Sequence, residues 1–147
     1  MRRLKRLLEL SGHERRLLIR AYGLLLAARA GLWILPLADV RRQLMRCAAA
    51  PEGVREDLED LTEDLMVNQV VWAVGAISFL VPRTNCLTRA VAAEAMLRSA
   101  GYLSSIEFGI EQEPGRSFAA HAWVRCGDRI VIGGPHERYA RLSRFER

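Results

Sequence analysis

The chain has 147 residues, half of them hydrophobic and 27% charged, with a formal net charge of +5 carried largely on arginines. That balance excludes a mainly disordered chain or a repeat array, and the length fits one domain with a core covering roughly two-thirds of the unfolded surface. The three cysteines, Cys47, Cys86 and Cys126, make no CxxC pair and no even disulfide framework, which fits a reducing cytoplasm. The basic excess favours an acidic partner without choosing between nucleic acid, an anionic membrane and an acidic peptide.

Taken in chain order, the first half reads as helices. Ser11 with Glu14 three residues on has the spacing of a capping box, and the helix it opens should close at Pro36. Its apolar stretch, residues 21 to 38, carries Arg29 at the middle and meets Pro36 before a full membrane span is reached, so it reads as a buried helix; a membrane-surface or partner-binding face is the competing reading. A second helix follows with Asp39 in its first turn and stops before Pro51. Acids come early and apolar residues late in the next stretch, which predicts an exposed lead into a buried helix at about 64 to 80, ended by Pro82. Trp33 and Trp72 at helical positions read as core; His13 reads as surface and His136 as loop.

The second half changes character. Thr84 or Asn85 can cap a helix from Cys86 to Ala100, and Gly101 stands where such a helix ends. Three strands follow, "SSIEFGIEQ", "SFAAHAWVR" and "RIVIGG", the last two joined by a tight turn at Gly127 and Asp128. The expected fold class is therefore α+β, with a helical region over residues 1–80 and a helix on a small antiparallel sheet over 81–147.

Cys86 is the residue that carries chemistry. A thiol attacks as its thiolate, and a helix N-terminus or a neighbouring imidazole favours that form. Cys86 has the first by position, and His121 is the candidate for the second. His121 and Trp123 share one face of their strand, Ala122 and Val124 the other. The plain alternative is a buried thiol and an unrelated half-buried imidazole.

"TNCLTRAVAAEAMLRSAGY", "IEFGIEQ", "SFAAHAWVRCGDRIVIGG" and "RYARL" together resemble the transglutaminase-like cysteine peptidases of lasso-peptide biosynthesis, over about residues 66 to 142. The resemblance implies a papain-like core in which Cys86 is the nucleophile and His121 the general base and acid, with an acyl-enzyme formed and hydrolysed. The nearest donor set, His121, Cys126 and His136, lacks the paired ligand spacing of a zinc site, so no metal and no cofactor is expected. The backbone N–H of Cys86 would be the first oxyanion donor, with Asn68, Gln69 or Asn85 as candidates for a second, although Asn85 is better read as the helix cap. Within that family, leader recognition sits in a winged-helix-like domain or in a separate protein. Residues 1–80 show no such strand pattern, so a stand-alone peptidase is expected. Its partners would be a leader-binding recognition protein, the lasso precursor peptide and the ATP-dependent lasso cyclase, with no nucleic acid and no membrane.

One position departs from the family. An aspartate is expected on the strand after the histidine strand, where this chain has Gly133 and Gly134. If Gly127 and Asp128 are the turn, Cys126 pairs with Arg129 and His121 falls opposite Gly134; Asp128 stands at the far end of the hairpin. A backbone carbonyl, Glu137 or Glu113 could take the orienting role, or activity could be lost. The missing acid motivates a second reading, a non-catalytic scaffold that binds peptide or partner proteins. A third is a basic helical module on nucleic acid or membrane, with steeply salt-dependent binding.

Overall fold

Ser11 starts the first helix by a reciprocal exchange. Its Oγ accepts the Glu14 backbone N–H at 3.2 Å, while Glu14 Oε2 accepts the Ser11 N–H at 2.7 Å, so the capping box is formed. The helix α1, Gly12–Ile34, ends as Leu35 turns extended ahead of Pro36. α2 spans Leu37–Cys47 and α3 spans Leu65–Ile77, which tightens into a 3-10 turn over Ser78–Leu80 before Pro82. The computed structural model describes residues 10–47, 65–111, 119–134 and 140–145. The expected acidic lead ahead of α3, together with Pro51, Glu113, His136 and Glu137, lies outside the described residues.

Leu18, Ala21, Leu25 and Ala28 of α1 recur at three-to-four spacing and are buried. They pack with α3 and with α4, Cys86–Ser99, the central helix of the molecule. Every residue from Ala90 to Leu97 of α4 is buried, because α1, α2 and α3 contact it as well as the sheet. One hydrophobic cluster therefore runs from α1 through Ala122, Val124 and Cys126, and residues on both sides of position 80 contribute to it. α1 is also long and apolar enough, by length and composition, to cross a membrane. Part of its surface stays open. Ile34 is 81% exposed and Trp33, expected in the core, is 73% exposed, with the Arg29 guanidinium 5.2 Å from its ring centroid. Trp72 is likewise exposed. Both tryptophans sit at helical spacing on faces that no described element covers, which the spacing alone did not distinguish from a core row.

The sheet has four strands in the order β3-β2-β1-β4, all pairs antiparallel: β1 Ser104–Glu111, β2 Ala119–Cys126, β3 Arg129–Ile132 and β4 Ala140–Phe145. The first three occupy the expected stretches. β4 was not anticipated, since "ARLSRF" reads as a basic tail; it pairs with the outer edge of β1. Cys126 does pair with Arg129 across Gly127 and Asp128. The ladder then slips: Arg125 pairs with Ile130 but Val124 with Ile132, so Val131 is an extra residue on β3. The placement of His121 opposite Gly134 rested on unbroken pairing and is corrected by this bulge; β3 ends at Ile132 without reaching His121.

Candidate active site

Asn85 sets the start of α4. Its Oδ1 accepts both the backbone N–H and the hydroxyl of Thr88, each at 2.8 Å, so Asn85 rather than Thr84 is the cap. Thr84 instead closes the preceding turn, its hydroxyl donating to Val81 O at 2.7 Å. Within that turn Arg83 has φ 57°, a left-handed conformation that costs a non-glycine residue on the order of 1 kcal/mol. Cys86 is thus the first residue of a capped helix and is half-buried, while Cys47 is exposed and Cys126 fully buried with its thiol toward Leu103 O. Of the three thiols, Cys86 alone combines partial access with a helix N-terminus. The unpaired N–H groups of the first turn favour negative charge there.

The turn at Gly101, with φ 90°, reverses the chain so that β1 runs back along α4. The start of α4 therefore lies toward the end of the sheet where β1 finishes, β2 begins and β3 finishes. His121 and Gly133 stand at that end. The imidazole Nε2 of His121 is 2.5 Å from the carbonyl oxygen of Gly133. A carbonyl can only accept, so in this contact Nε2 is the donor and carries a proton.

Side-chain alternation assigns the two rows of β2. Ile106 pairs with Val124 and Phe108 with Ala122, and these residues pack in or against the helix core. Glu107 pairs with Trp123 and Gly109 with His121, forming the opposite row. His121 and Trp123 share it, with ring centroids 6.1 Å apart. The structure therefore brings Cys86 and His121 to the same end of the sheet but puts His121 in the row turned away from α4.

Glu107 is the residue that sequence reasoning missed. Buried to 1% exposure, it accepts from Trp123 Nε1 at 2.7 Å and from Arg125 Nε at 2.8 Å. A glutamate alternating with Ile106 and Phe108 was its only signal. Of the other candidates, Gln69 Oε1 lies 3.1 Å from His13 Nε2, which ties it to the start of α1, and Asn68 is exposed. Among the described residues no group of three His, Cys, Asp or Glu side chains is placed to hold a metal ion.

No curated protein matches the chain, and no solved structure does. A family model described as the transglutaminase-like superfamily matches residues 23–144, a span that begins inside α1, contains Cys86, His121 and Gly133, and ends in β4. With most of its length matched, the chain belongs to the transglutaminase-like superfamily.

Proposed function

We propose that the protein is a cysteine peptidase that removes the leader from a ribosomally made lasso precursor, in the cytoplasm. The observation that carries the reading is Cys86 as the half-buried first residue of a capped helix, at the end of the sheet where His121 stands. In this reading Cys86 attacks the scissile carbonyl, His121 takes the thiol proton and returns it to the leaving amine, and water hydrolyses the acyl-enzyme. The Cys86 N–H supplies an oxyanion donor.

Residues 1–80 then serve as the docking region for a separate leader-binding protein, with the precursor and the lasso cyclase as further partners. An apolar groove of about 370 Å³, lined by Leu18, Ile19, Tyr22, Ile77 and Leu80, supports that assignment, as do the exposed Trp33 and Ile34.

A second reading, a scaffold that binds peptide without cleaving it, is favoured by His121 lying in the strand row turned from α4. Cleavage of a lasso precursor peptide, with a leader-binding protein present, separates the two. Cys86→Ala should abolish it with folding retained, and unchanged cleavage would end the peptidase reading. Alkylation of Cys86 by iodoacetamide at neutral pH no faster than that of a free cysteine would favour the scaffold.

A further inference from the structure

We infer that Gly133 is the positioning residue of this site, its main-chain carbonyl taking the orienting role that the resemblance assigns to an aspartate; the inference rests on the peptidase reading. Three observations converge on it. The carbonyl oxygen lies 2.5 Å from His121 Nε2. Gly133 has φ 93°, a backbone conformation that residues with a side chain rarely adopt. A Cβ built there would come within 2.8 Å of both Ala122 O and Trp123 Cβ, so any side chain, an aspartate's included, must push the residue away from β2. Gly134 differs in that a Cβ there would meet nothing within 4 Å.

The cause lies in the bulge. The extra residue Val131 shifts the register ahead of the last pair, Val124 with Ile132, so Gly133 lies just past the ladder and its carbonyl faces His121. The same glycine that removes the acid thus supplies the acceptor. A neutral carbonyl fixes the ring's tautomer and direction, as a carboxylate does, but adds no countercharge for the imidazolium formed once the thiol proton is taken.

The test uses the full chain labelled with 15N-histidine. In wild type, His121 should show a protonated Nε2, with a proton protected enough from water exchange to give a cross-peak. Gly133→Ala should lose that protection and slow iodoacetamide alkylation of Cys86 at neutral pH, whereas Gly134→Ala should change neither. A proton on Nδ1 of neutral His121 in wild type would overturn the inference without any variant needing to fold. So would a Gly133→Ala spectrum identical to wild type. If the cross-peak behaves as expected while Cys86 alkylates no faster than a free cysteine in every form, the carbonyl contact stands but the peptidase reading fails, and the catalytic role of Gly133 fails with it.

Discussion

Arg41 of α2 places two guanidinium nitrogens on the two carboxylate oxygens of Glu94, midway along the helix that begins with Cys86; the Nε contact to Oε2 measures 2.6 Å. Glu94 is fully buried, and its hydrogen bond holds the Arg41 guanidinium further above its already high ordinary pKa. The pair anchors α4 from the side away from the sheet. Arg41→Ala strands a buried carboxylate and should cost about 3–5 kcal/mol in urea unfolding. The double replacement Arg41→Met with Glu94→Leu should recover much of that loss, since two apolar groups leave no buried charge. If the single and double variants lose equally, packing and not charge is what the pair contributes.

Removing the cap of α4 should matter both locally and globally. Asn85→Ala leaves the Thr88 N–H without its acceptor and is expected to destabilise by about 1 kcal/mol. Asn85→Asp keeps the acceptor and should retain most of the stability, as measured by thermal melting. A loss under Asp as large as under Ala would show that the capping oxygen is not what counts.

At Arg83 the left-handed backbone predicts the opposite sign. Arg83→Gly should raise stability by up to about 1 kcal/mol by relieving strain, less the entropy glycine loses on folding. Arg83→Ala keeps the strain and should be near neutral. Chemical denaturation of both variants decides it; a gain with alanine and none with glycine would refute the strain argument.

Glu107 holds Trp123 and Arg125 on the row that carries His121. Glu107→Ala leaves an indole N–H and a largely buried guanidinium, 14% exposed, without this acceptor, and is expected to cost about 3–5 kcal/mol. Glu107→Gln keeps one acceptor oxygen and should cost less. Tryptophan fluorescence of Trp123 should shift with the alanine variant at denaturant concentrations where it remains folded.

The capping box gives a pH dependence with a defined sign. Hydrogen bonding to the Ser11 backbone, then to its hydroxyl, holds the Glu14 carboxyl below the usual glutamate range. A group depressed in the folded state contributes fully above its unfolded pKa and loses that contribution as pH falls through the folded one. Amide exchange at Ser11 and in the first turn of α1 should therefore accelerate as pH drops below the usual glutamate range, after correction for intrinsic rates. Glu14→Gln should flatten the profile.

What was legible followed from local chemistry. Ser11, Asn85 and Gly101 each act on their own few residues, so the ends of α1 and α4 could be read directly, and the Gly127–Asp128 turn fixed the first pair of its hairpin. Long-range relations were less accessible. The bulge at Val131 depends on how β3 meets β2, and it moved the register opposite His121. The Arg41 and Glu94 partnership joins positions far apart in the chain, and Glu94 lies in a helical run whose other members are apolar. Trp33 and Trp72 share their spacing with core residues, and it is the lack of a covering element among the described residues that leaves them exposed. For the site, residue types and order pointed to Cys86 and His121, whereas a main-chain acceptor such as Gly133 O has no residue type to announce it.

The position of β4 carries a consequence for how the molecule is made. Because β4, the last of the described strands, pairs with β1 and not with β3, the outer margin of β1 lacks this strand partner until residues 140–145 have left the ribosome. During synthesis the nascent chain thus exposes a ready template for another strand, and premature termination before residue 140 should yield aggregates and not a smaller soluble fold.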